Sequence, residues 1–113
     1  MEACCSPILE SPVGHDDADR LAARFRALGD PARLRLLSLI ACCGDACACD
    51  LVDEVGVSQP TVSHHLKVLY EADLVDKERR GKWIHYWVVP EAMAELATAL
   101  QPARDELLQI RSR

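Results

Sequence analysis

Six cysteines are the side chains of this 113-residue chain whose type and spacing best suit chemistry. They form three close pairs: Cys4 with Cys5, Cys42 with Cys43, and Cys47 with Cys49. A thiolate is a soft ligand, so such pairs favour soft or borderline metal ions over magnesium or calcium. Three thiolates suit arsenite, whereas four, drawn from Cys4, Cys5, Cys47 and Cys49, suit cadmium or lead.

The spacing of these thiols limits how they can share an ion. Residues two apart on a regular helix point about 200° from one another, so Cys47 and Cys49 can bind one ion only at an irregular helix end. Cys4 and Cys5 lie in a polar, proline-containing start that can adapt. The competing interpretation is that some of these cysteines are small buried residues, since free cysteine is among the most buried residue types.

The cellular compartment is predicted from the lack of a signal peptide and of a membrane-spanning segment in the sequence. Its start has neither the basic nor the apolar region of a signal peptide, and its longest apolar run is too short to span a membrane. We therefore expect a cytoplasmic protein with no membrane partner. In a reducing compartment, cysteines are metal ligands or redox groups more often than disulfides.

Charge is distributed unevenly along the chain. The formal net charge is −5, yet residues 59–83 carry a net +1 and the remainder −6. The dense basic patch is Arg79, Arg80 and Lys82. An acidic body with one basic edge directs DNA to that edge and excludes non-specific coating by nucleic acid.

The elements that must position these groups follow from periodicity and caps. Residues 1–16 are predicted to form a flexible arm that carries two of the cysteines. Helices are predicted over 17–28, 31–42, 47–55, 58–72 and 91–110, and strands over 74–78 and 82–89. The pattern is mainly α with a small β-hairpin, which is the winged helix-turn-helix layout, and it makes 17–110 a DNA-binding domain. The first and last helices are left with apolar faces that a homodimer would cover.

The helix after Ser58 has the form of a DNA-recognition helix. At about 100° per residue, Val62, Leu66 and Leu69 share a face toward the core. The predicted DNA contacts there and on the hairpin are Ser58, Gln59, Thr61, Ser63, His64, Lys67, Arg79, Arg80 and Lys82. His65 points nearer the core, and we expect it to be a hydrogen-bonded packing residue.

Three segments give the chain a specific resemblance. They resemble the ArsR/SmtB family of metal-responsive repressors, and they are SQPTVSHHLKVLYEADLV at 58–75, RRGKWIHYWVVP at 79–90 and ALGDPARLRLLSLI at 27–40. The resemblance covers about residues 17–110. It implies a homodimer joined through its first and last helices, and a repressor that leaves its operator DNA when metal binds.

The resemblance also extends to the thiols. DACACDL at 45–51 resembles the family's metal-box motif, but Val52 stands where some arsenic sensors of the family have a third cysteine. Other arsenic sensors resemble this chain in an N-terminal Cys-Cys pair, and their third thiol falls where Cys43 stands here. The implied metal ligands are therefore drawn from Cys4, Cys5, Cys43, Cys47 and Cys49.

The zinc sites of the family reduce the number of candidate inducers. Its zinc sensors use histidine and carboxylate pairs on the last helix, and residues 91–111 contain no histidine. Arsenite or antimonite is the expected inducer, with cadmium or lead as alternatives.

Two other functions compete with that of a metalloid-responsive repressor. A thiol enzyme needs a low-pKa cysteine beside a general acid, and the motif offers neither a βαβ pattern nor a neighbouring Arg or His, so no enzyme activity is expected. A repressor that senses oxidants through disulfide formation is permitted by the vicinal thiols.

Overall fold

The computed structural model describes residue 8 and residues 12–101. Its elements in chain order are α1 (His15–Leu28), α2 (Pro31–Cys43), β1 (Ala46–Cys47), α3 (Ala48–Val55), α4 (Gln59–Glu71), β2 (Val75–Arg80), β3 (Trp83–Val88) and α5 (Pro90–Ala99). No helix within this described part is long and apolar enough to cross a membrane. The order of elements confirms the predicted winged helix-turn-helix layout.

Local signals at the helix ends explain where α2 and α4 begin. Asp30 caps α2 by accepting the backbone N–H groups of Ala32 at 2.8 Å and Arg33 at 3.3 Å. These bonds hold the pKa of Asp30 below its usual value, although partial desolvation opposes them. Ser58 caps α4 in the same way, with its Oγ accepting from the Thr61 N–H at 3.4 Å. Both helices therefore begin where the sequence predicts.

The β structure is larger than predicted. A third strand, β1, pairs antiparallel with β3, so the sheet has the order β1-β3-β2 rather than being a lone hairpin. In the register, Cys47 lies opposite His85 and Ala46 opposite Tyr86. A strand of two residues leaves no periodic pattern, and its pairing with β3 is distant in sequence, which is why the sequence predicted only two strands.

The wing, which we define as the hairpin of β2 and β3, turns tightly at Gly81. Arg80 pairs with Trp83, so Gly81 and Lys82 alone connect the strands. Gly81 has φ of 66°, a left-handed conformation that glycine adopts at little cost. The turn fixes which side chains alternate onto each face of the wing.

The described part of the chain divides into two compact units. The larger is Ala22–Val89 and contains α2 to α4 with the sheet. Its fully buried side chains are Leu36, Ile40, Val62, Leu66, Leu69, Leu74 and Val75. This core packs α2, α3 and α4 against one another and supports the sheet.

The smaller unit joins residues up to Leu21 with those from Pro90 onward. Leu21, Ala92, Leu96 and Ala99 are buried in it, and Arg20 NH1 lies 3.1 Å from Glu95 Oε1. Helix α1 begins at His15, so His15 and Asp16 are helical although the sequence assigned them to the arm. The last helix is described as far as Ala99, and the predicted extension through 102–110 lies outside the described residues.

Candidate nucleic-acid interface and thiol centre

Helix α4, which we call the reader helix, has a buried apolar face and an exposed polar face, as the sequence predicts. Val62, Leu66 and Leu69 are completely buried. The predicted contact residues are all exposed: Ser58, Gln59, Thr61, Ser63, His64 and Lys67. The structure thus presents one continuous polar surface along the first turns of the helix, held in place by an apolar stripe on the opposite side.

The two hydroxyls at the start of the reader helix lie together. Ser58 Oγ is 2.9 Å from Thr61 Oγ1, and both side chains are exposed. Pro60 has no N–H, and the Thr61 N–H is already capped by Ser58. The exposed hydroxyls, rather than free backbone groups, are therefore the donors that this end of α4 offers to a phosphate.

His65 confirms the packing interpretation. It is half-buried, and its Nδ1 lies 3.2 Å from Arg33 NH1. A guanidinium can only donate, so Arg33 is the donor of this hydrogen bond and His65 Nδ1 its acceptor. Arg33 is itself fixed by donating from Nε to the Ala27 carbonyl at 2.6 Å. The neighbouring His64 remains exposed and accessible.

The three cations of the basic patch are in different environments. Arg79 is exposed, and Lys82 Nζ lies 5.6 Å from the centre of the Trp83 ring. Arg80 differs from both, since its NH1 lies 2.8 Å from Asp45 Oδ2 and its NH2 lies 3.1 Å from Glu78 Oε1. The charge of Arg80 is therefore balanced within the protein, whereas the sequence grouped it with the phosphate contacts.

Asp45 organises the base of the wing, a role that sequence reasoning missed. Its Oδ1 lies 2.8 Å from His85 Nδ1, while its Oδ2 holds Arg80. The hydrogen bond with His85, followed by that with Arg80, holds the pKa of Asp45 below its usual value against partial desolvation. Asp45 and His85 are 40 residues apart in the chain, and the pairing of β1 with β3 brings them close.

The dithiol, which we define as Cys47 with Cys49, is formed at an irregular helix start. Cys47 is the N-cap of α3 and has extended backbone angles, φ −81° and ψ 140°. This geometry brings its Sγ to 2.7 Å from Cys49 Sγ. Cys47 therefore lies at an irregular helix end, which is the local geometry that sharing one ligand would require.

The electrostatics of the dithiol favour the protonated state. The hydrogen bond with Cys47, partial desolvation and the nearby negative charge of Asp50 raise the pKa of the Cys49 thiol to about 11. Cys47 is buried and Cys49 half-buried. A ligand for this pair must therefore displace thiol protons.

The remaining cysteines are not gathered around the dithiol within the described residues. Cys42 and Cys43 are exposed at the end of α2. No three His, Cys, Asp or Glu side chains in the described ranges meet in an arrangement that could hold a metal ion. Cys4 and Cys5, the other predicted ligands, lie outside those ranges.

Comparisons with known proteins agree with this architecture. Residues 30–77, from the cap of α2 into β2, match the family described as "Bacterial regulatory protein, arsR family". An uncharacterised HTH-type transcriptional regulator of Methanocaldococcus jannaschii is 40% identical over 78 residues, which are 69% of this chain and 88% of that protein. The arsenical resistance operon repressor of Escherichia coli is 37% identical over 79 residues, covering 70% of this chain and 68% of the repressor.

A solved structure gives the same result. A homodimeric winged helix-turn-helix DNA-binding domain from Mycobacterium bovis superposes with a TM-score of 0.67 at 25% identity, covering 91% of this chain and 87% of that one. Fold and sequence therefore agree. This chain belongs to the arsR family, whose members are DNA-binding transcriptional regulators and not enzymes.

Proposed function

We propose that this repressor binds a two-fold symmetric operator as a homodimer and releases it when arsenite or antimonite binds its thiols. The observation that carries the proposal is the dithiol at the head of α3, whose sulfur atoms lie 2.7 Å apart. Similarity to arsenical resistance repressors of Escherichia coli and Bacillus subtilis supports this class of inducer.

The DNA-binding part of the proposal rests on the reader helix and the wing. The exposed face of α4 enters the major groove, where Gln59, Ser63 and His64 reach base edges. Ser58, Thr61 and Lys67 contact phosphate, together with Arg79 and Lys82 on the wing. All of these side chains are exposed.

The dimer is proposed to form through α1 and the last helix. The neighbour from Mycobacterium bovis is homodimeric. In the smaller unit, Val13 and Leu100 expose 43% and 54% of their surface, an apolar area that a second copy would cover. Light scattering should give twice the mass of the chain. We also propose that the protein acts in the cytoplasm.

The ligand set needs thiols beyond the dithiol. We propose that the third comes from Cys4 or Cys5 on the arm of residues 1–16, or from Cys43. Two bonds of about 2.3 Å that meet at one atom at an angle of about 90° or more hold their sulfurs at least about 3.3 Å apart. Since Cys47 and Cys49 start at 2.7 Å, binding should spread the pair.

The protonated state of Cys49 favours arsenite over a divalent ion. Arsenite at neutral pH is As(OH)₃, and three thiols convert it to a tris-thiolate while their protons leave with the hydroxides as three waters. Cadmium or lead instead must release those protons to solution, so its binding weakens as the thiol pKa rises. With the pKa of Cys49 near 11, this difference acts against the divalent ions.

The close thiols also support a second candidate, a redox-sensing repressor. A peroxide could oxidise Cys47 and Cys49 to a disulfide, the two thiol hydrogens leaving as part of two waters as the peroxide is reduced. The raised pKa of Cys49 slows this route, because the thiolate is the species that attacks the oxidant.

An operator-shift assay with arsenite, antimonite, cadmium, lead, zinc and diamide separates these functions. We expect release by arsenite and antimonite at the lowest concentrations. Cys47→Ser with Cys49→Ser, and separately Cys4→Ser with Cys5→Ser, should retain operator binding and lose that release, while Cys42→Ser serves as the control. Release by diamide but not by arsenite would establish the redox function instead. Loss of operator binding in the metal-free variants would contradict the proposal, because the thiols would then be structural.

A further inference from the structure

One carboxylate connects the thiol-bearing segment to both strands of the wing. Asp45 lies between the end of α2 and β1, and uses one oxygen for His85 on β3 and the other for Arg80 on β2, each at 2.8 Å. Both oxygens are thus engaged by side chains from the wing. The carboxylate of Asp45 and the short β1–β3 pairing thus both tie the wing to β1.

The dithiol is adjacent to the same link. Cys47 is two residues after Asp45, and its register partner on β3 is His85, the residue that Asp45 holds. Side chains directly opposite each other in an antiparallel pair have Cβ atoms about 5 Å apart. A displacement of Cys47 therefore acts on the strand and on the carboxylate that anchor the wing.

We propose that Asp45 is the element through which the dithiol controls the wing. A ligand that spreads Cys47 and Cys49 displaces β1, breaks the contacts of Asp45 with Arg80 and His85, and frees the wing from the geometry that binds DNA. The proposal deepens the proposed function and rests on it for the identity of the inducer. It makes Arg80 a positioning residue rather than a phosphate contact.

The contacts of Asp45 with Arg80 and His85 are exposed enough to water to be broken by ligand binding. The side chains of Arg80 and Asp45 are 47% and 39% exposed, so water replaces their hydrogen bonds when they separate. Partly exposed ion pairs contribute little to folding stability. Ligand binding can therefore break this pair without unfolding the core, in which Leu36, Ile40 and Leu66 are fully buried.

The test isolates the dithiol from the other cysteines. In a chain carrying Ser at positions 4, 5, 42 and 43, phenylarsine oxide, an arsenical that bridges two thiols, is the probe. Mass spectrometry counts the bound arsenical, and operator Kd is measured with and without it. We expect one arsenical per chain, weaker operator binding, and faster hydrogen exchange at the backbone N–H groups of His85 and Tyr86.

Asp45→Asn in this background should bind the arsenical as well as its parent does. The factor by which the arsenical raises the operator Kd should be about fivefold or more smaller than in the parent, which is within the usual range of coupling between sites. Arg80→Gln opens the same link from the wing and should show the same loss. Glu78→Gln is the matched control, because Glu78 also contacts Arg80 but lies on the wing itself, and it should keep the full effect.

The outcomes separate the two proposals. If the parent chain is not released by arsenite while the arsenical still acts through Asp45, the inducer assignment is wrong and the link stands. An Asp45→Asn protein as responsive as its parent would overturn the link, as would an equal loss in Glu78→Gln. Absence of arsenical binding or of faster exchange at His85 would also overturn it.

Discussion

The reader helix and the thiol-bearing segment at 42–49 differ sharply in how they are held. The reader helix is fixed by Val62, Leu66 and Leu69, none of which retains any solvent exposure. In the thiol-bearing segment only Ala46 and Cys47 are buried, and Cys42 to Asp45 are exposed. Segments with few buried apolar side chains open at lower free energy than core helices. The helix proposed to read DNA is thus held by buried side chains, whereas the segment proposed to sense ligand has few of them.

The largest expected effect tests the rigid side of this comparison. Leu66→Ala should lower the free energy of unfolding by about 2–5 kcal/mol, because it removes a fully buried side chain and leaves a cavity. Urea unfolding measures it. Lys67→Ala, one residue away on the exposed face, should change stability by less than about 0.5 kcal/mol. Similar losses at both positions would show that the reader helix has no distinct buried face.

The next prediction concerns the reactivity of the thiols. With the pKa of Cys49 raised from 9.0 to about 11, its thiolate fraction at pH 8 is about a hundredfold below that of a normal thiol. Iodoacetamide should therefore modify the exposed Cys42 and Cys43 well before Cys49, as followed by peptide mass spectrometry. Cys47→Ser removes the thiol that contributes most to the shift and should accelerate modification of Cys49. Early modification of Cys49 in the parent chain would contradict the protonated dithiol.

The next effect, about tenfold in affinity for DNA, distinguishes Arg79 and Lys82 on the wing from Arg80. Arg79→Ala and Lys82→Ala should each weaken binding to all DNA sequences and reduce the slope of log Kd against log salt by about 1. Arg80→Ala should leave that slope nearly unchanged, since its charge is already balanced by Asp45 and Glu78. Fluorescence anisotropy over a salt series measures all three. An equal drop in slope for Arg80→Ala would place it among the phosphate contacts.

The cap of the reader helix sets a still smaller effect. Ser58→Ala should cost about 1 kcal/mol of stability, because the Thr61 N–H loses its partner. Ser58→Asp, which retains a capping oxygen, should restore it. Thermal unfolding of the two variants gives the comparison. A neutral Ser58→Ala would mean that the apolar stripe alone positions the start of α4.

The smallest effect is a pH dependence of stability at the dithiol. The folded chain keeps the Cys49 proton up to about pH 11, whereas the unfolded chain loses it near pH 9, so this contribution is present below pH 9 and is lost as pH rises toward 11. Partial exposure of the thiol keeps the effect small. Tyr86, whose pKa is raised by burial, adds a similar fall at higher pH. Comparison of the stability of Cys49→Ser with that of the parent over this pH range therefore isolates the contribution of the thiol. If stability fell equally with pH in Cys49→Ser, the Cys49 thiol would not be the cause.

The contrast between the two regions also explains what the sequence could predict. The reader helix was predicted to within a residue because its cap, Pro60 and apolar spacing are local signals. The conformation of Cys47 and the contacts of Asp45 depend on β1 pairing with β3, which joins residues about 40 positions apart. Arg80 was grouped with Arg79 and Lys82 because sequence shows adjacency but not which face of a strand a side chain occupies or what meets it there.

The internal balance of Arg80 has a consequence for how the protein searches the genome. Each unpaired cation near the backbone releases counterions from any DNA, whatever its sequence, and so lengthens every visit to a wrong site. With Arg80 engaged by Asp45 and Glu78, the wing contributes fewer such cations. Non-operator DNA, which outnumbers the operator by many orders of magnitude, then holds the protein more briefly at each encounter. The carboxylate of Asp45 would therefore also shorten the search for an operator.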